Sequence, residues 1–145
     1  PIKRYDVACA AIEILRTSNP NAMLYPLSGN VDYETMLLLL NACDCLLICS
    51  DSEGSPVMVK EAMACNLPVV TTDVGDVVSV IDGSHPSGVA EQRPKAIAEE
   101  INLVLQAGIR SNGRQIIQDK NLDSVGITNS VLRKYSMALM KDTHD

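Results

Sequence analysis

Two short apolar runs, Cys45-Leu-Leu-Ile-Cys49 and Pro68-Val-Val-Thr71, flank a helix-opening Ser55-Pro56. Neither run alternates with polar residues, which is the pattern of a parallel strand buried on both faces. Parallel neighbours cannot be joined by a tight hairpin; they need a crossover, usually a helix, and the crossover is right-handed. Ser55 as N-cap and Pro56 at the first helical position open that helix, which continues through Val57, Glu61 and Ala64 towards Asn66. This one segment already commits the chain to a layered α/β arrangement.

The flanking sequence repeats the theme. Val7, Ala8, Ala11, Ile12 and Leu15 recur at helical spacing, and Arg16 and Asn19-Pro20 end that helix. Ala22 to Leu27 is expected as a strand, with Ser28-Gly29-Asn30 as its turn. Asp32 is the N-cap expected for a Leu-rich helix from Tyr33 to about Ala42. After Thr71 comes the loop Asp73-Val-Gly-Asp76, and Gly88 to Ala90 forms a short last strand. Pro94 opens a helix with Ile97, Ile101 and Val104 on one face, closed by Gly108. A final helix from about Ser124 to Met140 sets Ile127, Val131, Tyr135 and Ala138 on one stripe. Strands alternating with helices of this length mean βα units on a parallel sheet.

Composition narrows the function. The 145 residues, 46% apolar and 21% charged, suit one soluble globular domain. A net charge of −6, a pI near 4.8 and the absence of Trp and Phe exclude a basic or base-stacking nucleic-acid surface. No apolar stretch is long enough to span a bilayer, and no basic-plus-apolar leader is visible. The five cysteines have no paired metal-ligand spacing and suit reduced, mostly buried thiols in a cytoplasmic protein, and the two histidines add no ligand cluster. No metal and no cofactor is expected. His85 is a turn residue, and Asp73 and Asp76 suit turn or cap roles.

The chemistry concentrates between Glu53 and Asp76. In an open parallel sheet, ligands sit beyond the carboxyl ends of the strands, and Glu53 falls just after one such end. The helix that follows offers a positive dipole end and free backbone N–H groups suited to phosphate. Pro56 lacks an N–H, so Val57 and Met58 are the expected donors unless Ser55 caps one of them. Taken alone, Glu61 beside Lys60 is a solvated helix residue and Glu53 a helix-terminal acid. Their context changes that reading. Glu53, Gly54, Pro56, Glu61, Ala62, Met63, Ala64, Pro68, Val69, Val70 and Gly75 fit E-G-F-G/P, four variable residues, E-A-M-A, then P-V-V and a Gly-rich turn.

That stretch resembles the C-terminal domain of the glycosyl transferase group 1 family. Asn41-Ala42-Cys43-Asp44, the following strand and Ser50 are similar to the family's lead-in, and Lys3-Arg4-Tyr5-Asp6 to its Lys segment. The resemblance implies a Rossmann-like parallel sheet with flanking helices, one half of a GT-B enzyme that retains anomeric configuration without a required metal. It implies that Glu53 lies against the transferred sugar as the catalytic carboxylate and that Glu61 accepts from the ribose hydroxyls. Lys3 would face the diphosphate with Val57 and Met58, and Gly54 and Ser55 would line the sugar. The donor would be a UDP- or GDP-linked sugar and the acceptor a sugar or lipid-linked sugar held by a further domain. Peripheral membrane association of the parent protein fits such an acceptor. The chain departs from the pattern at Ser55, where Phe is common, at Asp76, where a second Gly is common, and at Ser79, where an acid is frequent. The Arg usually found before the Lys would lie upstream of Pro1.

Two other classes compete: a GT-B-like module that binds nucleotide or protein without transfer, and a flavodoxin-like regulatory domain. The second wants an acidic cluster after its first strand, and none is present. The chain does not open on Met, and it is expected to be a domain excised from a longer protein. Its first helix starts too early to leave room for the central strand that precedes it in a Rossmann-like sheet. Ala22 to Leu27 is therefore expected either to pair directly with Cys45 to Cys49 or to leave a groove filled by another chain.

Overall fold

The structure, a computed structural model, describes residues 2–27, 29 and 31–141. Three short parallel strands, β1 (Leu46–Ile48), β2 (Val69–Thr71) and β3 (Gly88–Val89), form a sheet in the order β1-β2-β3. Leu46 pairs with Val69, Ile48 with Thr71, and Val70 with Gly88. The two apolar runs are thus neighbouring parallel strands, as their lack of alternation requires. Side chains alternate across the sheet. Leu47 and Val70 face one core, with Ile12, Leu15, Ile97 and Ile101; Leu46, Ile48 and Val69 face the other, with Val59, Met63 and Ile117.

The first core is covered by α1 (Tyr5–Leu15) and α5 (Pro94–Ala107), and the apolar spacing read for both selects the faces they bury. Gly108, at φ +61°, closes α5. The second core is covered by α3 (Val57–Ala64), α4 (Val77–Ile81) and α6 (Gly113–Asp119), with Leu40 of α2 (Tyr33–Ala42). Asp32 caps α2, accepting from the Thr35 N–H at 2.9 Å. That bond holds the Asp32 carboxyl below its usual range. A Cβ on Gly113 would stand 2.8 Å from Met63 Cα, so only glycine lets α6 close on α3.

Basic side chains close several of these helices. Arg110 donates to the carbonyls of Leu40, Cys43 and Cys65, at the ends of α2 and α3, within 2.8–2.9 Å. Lys120 reaches Ser79 O and Asp82 O around the end of α4 at 2.6 and 2.9 Å. Cations at helix C-termini satisfy orphan carbonyls and oppose the negative dipole end. Neither α4 nor α6 was expected from the sequence; helices of five and seven residues carry too little periodicity to register.

Three expectations are corrected. Ala22 to Leu27 is not a strand, and it does not pair with Cys45 to Cys49 among the described residues. It keeps a strand's alternation, with Ala22 and Leu24 turned to the first core and Met23 and Tyr25 exposed, but among the described residues no ladder partner adjoins it. A ladder needs a neighbour roughly 4.8 Å away, and among the described residues β1 pairs with β2 alone. The turn expected at Ser28-Gly29-Asn30 falls largely outside the described residues. Second, Ser55 does not cap α3: the N-cap is Pro56, the first helical residue is Val57, and no side chain caps it. Third, of the five thiols only Cys49 is buried; the others are half-buried, and all are free. The last helix, α7 (Ser124–Lys141), forms as expected. Its stripe is not docked, with Ile127, Val131 and Tyr135 45–68% exposed. No helix among the described residues is long and apolar enough to cross a membrane.

Candidate functional site

Beyond the carboxyl end of β1, hydrogen bonds join Glu53 to Lys3 and the Gly54–Ser55 loop to Asp76. Leaving β1, the chain passes buried Ser50 and reaches Glu53. The Ser50 hydroxyl donates to Glu53 Oε1 at 2.7 Å, and Lys3 Nζ donates to the same oxygen at 2.5 Å. Both donors favour the ionised form, so the Glu53 carboxyl is held below its usual range, by Lys3 first and Ser50 second. Glu53 is only 13% exposed at its side chain, whereas Lys3 is 73% exposed. Glu53 Oε2 carries no hydrogen bond among the described residues. A carboxylate that stays ionised acts as an acceptor and a source of negative potential, and is poorly suited to donate a proton.

Lys3 is brought to Glu53 by the segment before α1. The Asp51 N–H donates to Ile2 O at 2.8 Å, joining this segment to the end of β1. Arg4, in the left-handed region at φ +46°, turns the chain into α1 and reaches Asp51 Oδ1 at 3.1 Å. Gln92, beyond β3, donates to the same oxygen at 2.9 Å and to Cys49 O at 3.0 Å. Arg4 first and then Gln92 hold the Asp51 carboxyl below its usual range. Asp51 and Gln92 were not singled out in the sequence, and Arg4 only as part of the Lys segment, because the ends of β1 and β3 and the N-terminal segment meet only in three dimensions. The Ser50–Glu53 spacing of three residues was the one local signal available.

The loop after β2 lies directly on the Glu53 loop. Asp76 N–H donates to Gly54 O at 3.1 Å. Gly75 sits at φ +56°, and a Cβ there would stand 2.2 Å from Gly54 O and 2.7 Å from Glu53 O. Gly54, by contrast, has open space where a side chain would project. Ser55 Oγ donates to Asp76 Oδ2 at 2.5 Å, and Lys60 Nζ bonds the same hydroxyl. With Ser55 so engaged, the N–H groups of Val57 and Met58 have no partner among the described residues. Glu61 lies on α3, half-buried and without a hydrogen bond among the described residues.

A depression of about 200 Å³ opens at this same edge, lined by Ser50, Asp51, Thr72, Asp73, Glu91 and Gln92. A larger one, about 380 Å³, lies by α4 and the turn entering β3, lined by Ile81, Ser84, His85 and Val89. It borders the amino end of β3 and holds none of the residues above. The carboxyl edge is where parallel sheets take ligands. No group of three or more His, Cys, Asp or Glu side chains suited to a metal occurs among the described residues.

Residues 26–120 match the family of glycosyl transferases group 1. A Campylobacter jejuni N,N'-diacetylbacillosaminyl-diphospho-undecaprenol alpha-1,3-N-acetylgalactosaminyltransferase is 33% identical over 100 residues, which is 68% of this chain and 25% of that protein. The putative teichuronic acid biosynthesis glycosyltransferase TuaC of Bacillus subtilis is 35% identical over 74 residues, 51% of this chain and 19% of its own length. The chain therefore spans about a quarter or less of these two relatives. In three dimensions, sucrose-phosphate synthase from Thermosynechococcus elongatus superposes with a TM-score of 0.65 at 24% identity, over 88% of this chain and 34% of that one. That likeness shows the fold, a parallel sheet with flanking helices of the GT-B type. With the matched span covering both strand-loop-helix units around Glu53 and Glu61, the chain belongs to the glycosyl transferases group 1 family.

Proposed function

We propose that this domain binds the nucleotide-diphosphate sugar donor of a glycosyltransferase and presents it to an acceptor held by a further domain. The observation that carries the reading is the junction at the carboxyl edge. There Glu53, ionised and held by Lys3 and Ser50, adjoins the uncapped start of α3. A departing nucleoside diphosphate gains negative charge as the glycosidic bond breaks. Preplaced N–H groups and cations stabilise that charge without reorganising. Val57 and Met58 supply the N–H groups and Lys3 the cation. Donor binding would draw Lys3 from Glu53 to the diphosphate, leaving Glu53 to accept from hydroxyls of the transferred sugar near its anomeric carbon. Gly54 and Ser55 line the sugar, and Glu61 accepts from the ribose hydroxyls. Carboxylates suit that task because charge-assisted bonds are roughly twice as strong as neutral ones.

The donor is UDP- or GDP-linked, and the acceptor is a sugar or a lipid-linked sugar, the class named for the Campylobacter jejuni relative. An acceptor of that kind fits peripheral contact to a membrane, and the free thiols fit a cytoplasmic protein. The 145 residues act as one donor-binding domain and alone transfer no sugar, because acceptor site and cleft closure come from the rest of the protein.

Glu61→Ala in the full-length protein tests the reading by calorimetry. Loss of a pair of charge-assisted bonds is expected to weaken UDP or GDP binding by roughly 2–4 kcal/mol with the fold intact. Unchanged affinity would leave Glu61 a surface residue. Glu53→Gln separates transfer from mere binding: affinity should persist while turnover collapses, and a protein that never turns over would be the non-catalytic module.

A further inference from the structure

Three side chains beside the start of α3 each forgo their ordinary role. Ser55, one residue before the N-cap, is placed to accept from the N–H two or three residues on, as Ser does in turns and caps. Its hydroxyl instead donates to Asp76 Oδ2 at 2.5 Å. Asp76 occupies the N-cap position of α4, yet its carboxylate caps nothing. One of its oxygens is spent on Ser55, and the other, Oδ1, is buried without a partner. Lys60, in the first turns of α3, is directed back towards the helix N-terminus and bonds the same hydroxyl. The helix dipole disfavours a cation at that end. Asp76 and Ser55 are also positions at which this chain departs from the family pattern described above.

We infer that Asp76 and Lys60, acting through Ser55, are positioning residues that keep the N-terminus of α3 uncapped for the donor diphosphate. The inference rests on the donor-binding reading and assigns it two residues that reading does not use. The Ser55 proton is committed to Asp76 and one lone pair to Lys60, an orientation in which the hydroxyl caps neither Val57 nor Met58. Those two N–H groups stay available to an anion, where self-capping would make each incoming phosphate displace a bond already formed. Lys60 adds a positive charge at the same place and balances Asp76, whose carboxylate would otherwise repel the diphosphate. The backbone bond from Asp76 N to Gly54 O holds the two loops together, so the three side chains keep their relation.

The test pairs a loss with a rescue. Asp76→Ala releases Ser55, and amide exchange of Val57 or Met58, followed by NMR, should slow by about tenfold as the hydroxyl caps the helix. That variant also loses a carboxylate that repels the diphosphate, so its UDP or GDP affinity in the full-length protein is read against a second variant lacking the same charge. Adding Ser55→Ala removes the competing cap. The Asp76→Ala/Ser55→Ala protein should regain fast exchange and bind nucleotide several-fold more tightly than Asp76→Ala alone. A generic structural defect would not be reversed by a second truncation. Asp76→Gly, which keeps the backbone bond to Gly54, serves if Asp76→Ala does not fold. Exchange unaltered by Asp76→Ala, or no rescue in the double variant, overturns the inference. Should wild-type protein bind neither UDP nor GDP while the exchange pattern appears, the donor reading fails and the uncapping device stands. Should both nucleotides bind wild type while Asp76→Ala leaves the exchange unaltered, the device fails and the donor reading stands.

Discussion

Gly75→Ala puts one methyl group between the two loops that build the site. At φ +56° any L side chain is strained, and a left-handed residue costs about 1–2 kcal/mol. The new Cβ would also lie 2.2 Å from Gly54 O and 2.7 Å from Glu53 O, both backbone atoms that cannot swing aside. Restoring ordinary contact requires the Glu53–Gly54 backbone to retreat by about 1 Å, and inserting a methyl group into such a contact costs a further ~1–3 kcal/mol. The sum, roughly 2–5 kcal/mol, is a large part of the about 5–15 kcal/mol that holds a domain folded. Urea unfolding should therefore show a clearly lower midpoint with an unchanged slope. Gly54→Ala is the internal control. A Cβ there meets nothing within 4 Å, so its cost should stay near the about 1 kcal/mol typical of point changes. If the fold survives and the proposed role of Glu53 holds, its displacement should also cost the full-length protein about 100-fold in turnover, the penalty of a 1 Å misplacement. Equal unfolding midpoints for the two alanine variants would refute the reasoning, because the backbone contact at Gly75 would then carry no constraint.

Lys3→Met leaves Ser50 as the remaining hydrogen-bond donor to Glu53, so an NMR titration should find the Glu53 carboxyl at a higher pKa than in wild type; an equal or lower value would contradict the ion pair. The sign for stability follows: a depressed carboxyl pKa stabilises the fold above the unfolded value of about 4.3, and that contribution is lost as pH falls through the folded value. Because Lys3 is 73% exposed, the variant should lose under about 1 kcal/mol at neutral pH, with its acid unfolding moved to higher pH. Arg110→Ala removes a guanidinium shared by the ends of α2 and α3, and denaturant unfolding should report a loss of about 1–3 kcal/mol; a loss below ~0.5 kcal/mol would mean that water serves those carbonyls as well.

Cys45 to Cys49 and Pro68 to Thr71 announced a parallel pair from sequence alone, because a strand buried on both faces must be apolar without interruption, whatever surrounds it. The helices at Asp32 and Pro94 were equally legible, since caps and helical spacing are local properties. Glu53 and Glu61 stood out by their setting between those strands, and the family match covers both. What one strand lacks on its far side is not a local property. Ala22 to Leu27 has the alternation of a strand, but a ladder is made by two segments, and only the assembled molecule shows that none of the described residues partners it. The same holds for α7, whose apolar stripe states that something should cover it without saying what.

Within the site, tertiary structure decided the partners. Lys3 and Glu53 are 50 positions apart and share a hydrogen bond only because Asp51 anchors the segment before α1 to the end of β1. Ser55 read as a helix cap, which is the local optimum. The loop bearing Asp76, 21 residues on, outbids that cap with a charged acceptor. Sequence periodicity determines which faces are buried, since each residue's contribution to it is independent of distant segments. Hydrogen-bond partners are chosen in competition, and the winner depends on which groups the fold brings within about 3 Å.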